Sequence, residues 1–216
     1  MGKRGGEQFM VNKDLIQSFI NYHYEQFNKL QCLKRVFIIW AMSAILYVIG
    51  LRSMIFVIML GFADSAISIL FIAIITKSGN TQISRYLCDG IFYFHCSVLL
   101  NLASYRVMVF QNGSNWTLAL ALLGFLLLSI TVFTFITISN IKAGKYLETG
   151  NIEKDNLLPY LGGALGVFIA PLILNGQSQQ IVFKLLSSIL LLLSLAMGIG
   201  TINLLKLLLY KRCFGN

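Results

Sequence analysis

One carboxylate stands in the middle of a long apolar run: Asp64, within residues 53–76, SMIFVIMLGFADSAISILFIAIIT. As a helix the run reaches about 36 Å, enough to cross a bilayer core of roughly 30 Å, which places Asp64 near the midplane. Burying a carboxylate there costs about 2.5–3.5 kcal/mol on insertion scales, so it is expected to face other helices or a wet cavity. Gly61, Asp64, Ser65 and Ser68 recur at i, i+3, i+4 and i+7 and share one helical face. Gly61 and Ser65 suit close helix packing. Asp64 reads either as a proton or cation site or as a buried structural carboxylate, and Ser68 belongs to the same polar face.

A partner for Asp64 is sought on residues 91–110, the least apolar span, which carries His95, Asn101, Ser104 and Arg106. Counting inward from each expected membrane edge sets Asn101 level with Asp64. Arg106 falls about two turns nearer the outside, from where its long side chain either reaches toward Asp64 or snorkels to the headgroups. The expected buried pair is Asp64 with Asn101 or Arg106. The same count puts His95 about three turns from Asp64, out of reach.

Other chemistry is thinly represented. Cys32, Cys88, Cys96 and Cys213 form no CxxC and no metal-ligand spacing with the histidines, so reduced thiols and no metal or cofactor are expected. Cys88 and His95 share a face but sit on separate turns of one helix, which does not make a nucleophile–base pair. There is no P-loop, HExxH, GxSxG or nucleic-acid module, and an enzyme is not the expected reading. Gly162, Gly166 and Ala170 follow at four-residue intervals and predict close helix–helix contact, with Pro171 as a kink.

The elements that must position these residues follow from composition. Of 216 residues 57% are apolar and 12% charged, about half the charged fraction of a soluble domain, so an all-α integral membrane protein is expected. Residues 1–35 read as a polar tail followed by an amphipathic helix over about 12–34, lying along the cytosolic interface. Residues 36–210 read as a six-span bundle, with spans near 36–51, 53–76, 91–110, 117–139, 157–174 and 181–210. The connector at 77–90 is polar, and 211–216 is a short tail. No cleavable signal peptide is expected ahead of the first span.

The net charge of +9 is carried by segments flanking the apolar runs, which indicates anionic headgroups and not nucleic acid. Lys and Arg fall 14 on one side of the expected topology and 3 on the other, so both termini are expected in the cytosol. The plasma membrane is favoured, although the same rules fit the endoplasmic reticulum. An interfacial helix followed by six spans resembles, in layout alone, the membrane subunits of ABC exporters, including those of bacteriocin self-immunity. That likeness implies a separate ATPase subunit. The leading expectation is a small transport component or pore-type module; the alternatives are a membrane assembly protein, with or without homo-oligomers, and, less favoured, an intramembrane enzyme.

Overall fold

The computed structural model describes residues 13–22, 28–48, 54–77, 81–112, 116–147 and 179–214. Every regular element among them is a helix: α1 (Lys13–Asn21), α2 (Lys29–Val48), α3 (Met54–Thr76), α4 (Thr81–Asn112), α5 (Trp116–Lys142), α6 (Gln179–Ile199) and α7 (Ile202–Phe214). Five stretches are long and apolar enough to cross a membrane, α6 and α7 counting as one, the build of an integral membrane protein. The expected span at 157–174, with Gly162, Gly166, Ala170 and Pro171, lies outside the described residues.

α4 is the central post. Its 32 residues reach about 48 Å, well beyond a bilayer core, and it packs against α2, α3, α5, α6 and α7. The first ten residues of α4 are the polar segment expected to be a connector. Thr81–Gly90 instead continues the helix: Arg85 and Asp89 pair one turn apart at 3.5 Å, and Arg35 of α2 closes on the same carboxylate. Gly90 lets α7 approach, because a Cβ there would stand 3.0 Å from the backbone nitrogen of Leu204.

Small hydroxyl side chains hold α4 to α6. Ser97 Oγ donates to the Ser194 carbonyl at 2.7 Å and Ser194 Oγ returns the bond to the Ser97 carbonyl at 2.8 Å. Ser104 and Ser187 repeat the exchange at 2.9 and 3.2 Å. The serines are seven residues apart on both helices, two turns, which fits an antiparallel pair. Each hydroxyl is satisfied inside the bundle, where an unpaired one would cost several kcal/mol.

Helix ends follow local chemistry. Asn28 caps α2 by accepting the Leu30 N–H at 2.9 Å. α5 ends where Gly144 adopts φ +72°; Gly144 N–H bonds the Ile141 carbonyl and Lys145 N–H the Asn140 carbonyl, the paired closure that a left-handed residue permits. On α5, the hydroxyls of Thr131, Thr134 and Thr137 bond the carbonyls four residues back, as expected of threonines in an apolar helix. The last span does not run unbroken from 181 to 210. It breaks between Ile199 and Ile202, where the Gly198 carbonyl accepts both the N–H and the hydroxyl of Thr201 and the Gly200 carbonyl both the N–H and the side-chain amide of Asn203, bonds to the third residue on in place of the fourth.

α1 corrects the interfacial expectation. It is amphipathic but ends at Asn21, and residues 29–34 belong to α2, which starts ahead of the expected span edge at residue 36. Its apolar face, Ile16, Phe19 and Ile20, packs on Tyr86, Ile141 and Leu207, so protein and not lipid covers it. Hydrophobic spacing marks an apolar face without saying what covers it. Two bonds tie its C-terminal end down: Tyr86 Oη donates to the Ile20 carbonyl and Lys206 Nζ to the Tyr22 carbonyl, each at 2.6 Å. The Lys206 ammonium also sits 5.2 to 6.0 Å from the ring centres of Phe19, Tyr22 and Tyr86. Lys206→Met keeps the apolar bulk and removes the donor. Amide hydrogen exchange across α1 is expected to speed up by about tenfold or more, the equivalent of one charge-assisted hydrogen bond. Unchanged exchange would show that apolar packing alone holds α1.

α2 meets α3 and α4 through a core of Cys32, Ile39, Phe71, Ile74, Cys88, Phe92 and Cys96. Within it the Sγ atoms of Cys32 and Cys88 lie 2.9 Å apart, both fully buried and both free thiols. Copper phenanthroline oxidation in detergent is expected to join them within one chain, read as the loss of two hydrogen masses that Cys32→Ser abolishes. A crosslink involving Cys213 instead would contradict this packing of α2 on α4.

Candidate functional site

The connector between α3 and α4 sets the site. Two antiparallel helices joined by a short turn face each other at equal distances from that turn. Asp64 lies 12 residues before Thr76, the end of α3, and His95 lies 14 after Thr81, the start of α4. They are therefore level, and His95 Nε2 meets Asp64 Oδ1 at 2.7 Å. Asp64 is 1% exposed and His95 9%. This is a buried carboxylate–imidazole pair at mid-helix.

The expected pairing of Asp64 with Asn101 or Arg106 is thus corrected. Taking residue 91 as the start of the span shifted every depth on α4 by the ten residues that are helical from Thr81. Asn101 stands six residues beyond His95, about 9 Å along the axis. It is buried and donates from Nδ2 to the Leu122 carbonyl of α5 at 3.3 Å. Arg106, half-buried, is about 16 Å beyond His95 on the same measure. Neither reaches the carboxylate.

Of the other residues on the polar face of α3, Ser68 is part of the site. Its hydroxyl donates to the Asp64 carbonyl at 2.7 Å and accepts the Trp40 indole N–H at 3.0 Å, so α2 and α3 are tied one turn from the carboxylate. Ser65 is half-buried. Gly61 makes no close helix contact: a Cβ added there would meet nothing within 4 Å. It borders a cavity instead.

That cavity, about 230 Å³, lies between α2 and α3 and is lined by Trp40, Ser43, Tyr47, Leu60, Gly61 and Asp64 among others. Two buried polar atoms belong to its lining residues and have no hydrogen-bond partner among the described residues: Asp64 Oδ2 and Ser43 Oγ. Buried polar groups are normally satisfied, so two orphans on one cavity mark a place where something with donors fits.

The site departs from the rest of the chain in this respect. Asp89 on α4, the other buried carboxylate among the described residues, is engaged on both oxygens, Oδ1 by Arg35 and Oδ2 by Arg85. Sequence reasoning missed Asp89 and the His95 contact together, because both depended on seeing residues 81–90 as helix. The Arg85–Asp89 spacing of four was the available signal. No group of three His, Cys, Asp or Glu side chains capable of holding a metal occurs among the described residues. Compared with protein-family models, curated proteins and solved structures, the chain matches none. Its site is read from its own chemistry.

Proposed function

We propose that this protein is a small membrane transport component whose buried Asp64–His95 pair is the charge site that a proton or a cation occupies. The observation that carries the reading is the half-satisfied carboxylate. Oδ1 is held by His95, while Oδ2 has no partner among the described residues, on a side chain that helps line a cavity. A carboxylate kept only to fix helix register would be expected to have both oxygens engaged, as Asp89 does.

The pair also supplies a coupling rule. With a neutral imidazole donating its N–H, the pair carries one negative charge and a cation at Oδ2 neutralises it. With a protonated imidazole the pair is already neutral, and the cation has no charge to meet. Proton and cation therefore compete for the site.

In this reading the chain crosses the plasma membrane six times with both ends in the cytosol. Its basic flanks meet anionic headgroups. A separate ATPase subunit, if it recruits one, brings the energy that the chain has no motif to capture.

Purified protein in vesicles with a trapped pH-sensitive dye tests the reading. Under an imposed potential the wild type is expected to move protons, and Asp64→Asn to hold the gradient as protein-free vesicles do while eluting as a folded species. Wild-type vesicles as tight as empty ones, with or without proteins that co-purify in mild detergent, would overturn it.

A further inference from the structure

We infer that the cavity between α2 and α3 is a binding site for a small hydrophobic amine, a monovalent organic cation carrying one ring or a short alkyl body. The inference names a ligand class for the transport site and rests on that reading for the direction of movement, though not for binding.

The chemistry of the walls selects the ligand. The residues lining the cavity bring one buried carboxylate oxygen and one buried hydroxyl without partners, Asp64 Oδ2 and Ser43 Oγ, together with apolar Leu60 and the aromatic side chains of Trp40 and Tyr47. An ammonium head satisfies this set. Its N–H groups donate to Oδ2 and to the serine oxygen, and its charge offsets the carboxylate. Aromatic faces attract it further, by about 0.5–2 kcal/mol for each well-placed ring.

Other ligands fit poorly. Calcium and magnesium want about six or more oxygens, and the lining residues hold two buried ones without partners. An anion would meet Asp64. A neutral apolar molecule would leave both polar atoms unsatisfied. Size sets the last limit, since about 230 Å³ is below the roughly 300–1,000 Å³ of pockets for drug-sized ligands.

The site is also preorganised and open to the side. Trp40 is fixed by its N–H bond to Ser68 Oγ, and Ser68 is bonded in turn to the backbone carbonyl of Asp64. The ring is thus tied to the backbone of the residue that carries the carboxylate. Trp40 is 44% exposed and Tyr47 58%, so the α2 wall of the cavity is open to the surroundings of the described helices. An amine that partitions into the bilayer has a direct route in.

Trp40 supplies the reporter. The chain has two tryptophans, and Trp116, 77% exposed at the start of α5, is replaceable by phenylalanine. In Trp116→Phe protein in detergent, phenethylamine is expected to change Trp40 emission saturably, and phenethyl alcohol, the neutral counterpart, to give no saturable change. Asp64→Asn should weaken the amine response by about tenfold or more, the scale of one charge-assisted contact. Gly61→Leu fills the cavity without touching the carboxylate and should weaken it likewise.

An alcohol response equal to that of the amine, an amine response unaltered by both substitutions, or no saturable amine response at all would overturn the assignment. The vesicle assay separates the two proposals. Amine binding without proton movement leaves the site and removes the transport reading, and proton movement without amine binding does the reverse.

Discussion

His95→Leu is expected to destabilise the protein by about 3 kcal/mol, and Asp64→Leu introduced together with it to recover most of that loss. The single change strands a carboxylate that is 1% exposed and has no other hydrogen-bond partner among the described residues on either oxygen. The double change removes the stranded charge and fills the same space with apolar side chains. Pairs inside membranes are often worth less than this, with couplings nearer 1 kcal/mol, because the unfolded reference state also finds partners. The sign of the coupling is the test. A double-mutant cycle, measured by unfolding in one detergent, should show the two substitutions far from additive. Additive losses would mean that the 2.7 Å contact contributes nothing to stability. Asp64→Asn belongs to a different experiment, since an amide keeps a hydrogen bond to the ring while losing the charge.

Alanine at four glycines should move stability in opposite directions. A Cβ at Gly200 would fall 2.3 Å from Tyr93 Cγ and 2.7 Å from Tyr93 Cβ, the root of the side chain, which cannot swing away. At Gly90 the nearest atoms are Leu204 Cγ at 2.5 Å and the Leu204 backbone nitrogen at 3.0 Å, so α7 itself must retreat from α4. Each substitution is expected to cost about 1–3 kcal/mol, more than the roughly 1 kcal/mol of helix propensity that alanine gains over glycine. Gly61 and Gly124 meet nothing within 4 Å. Alanine there should stabilise by up to about 1 kcal/mol, because only the propensity term remains. Thermal unfolding of the four variants side by side checks this. Equal effects at all four would mean that α4 and α7 are not in close contact.

The apolar runs made the helices legible, since length and hydropathy decide what crosses a membrane. They also singled out Asp64, whose cost in a bilayer is visible without coordinates. Its partner was not visible, because partner choice depends on where a turn begins. Thr81–Gly90 is polar enough to be a loop and long enough to be three helical turns, and that ambiguity moved His95 out of reach on paper. The serines at 97, 104, 187 and 194 were readable in principle, by their equal spacing of seven on two spans. Polar residues in apolar helices attract notice when charged and escape it when small. The docking of α1 was not readable, because an amphipathic pattern is the same whether lipid or protein lies beneath it. The cavity was not readable either. It comes from the side chains that α2 and α3 set around it, and Gly61, which looked like a packing residue, is one of its walls.

The serine pairs between α4 and α6 act mechanically as a clutch. Sliding one helix past the other by a single turn, about 5.4 Å, breaks all four hydroxyl–carbonyl bonds at once and takes four buried hydroxyls from their partners on the facing helix. α4 and α6 therefore form a fixed frame. α2 and α3 pack on each other and on α4, and they carry Trp40, Ser43, Gly61 and Asp64 as a unit. A swing of this pair against the frame would have to part Arg35 from Asp89 and Asp64 from His95, the bonds by which α2 and α3 hold to α4.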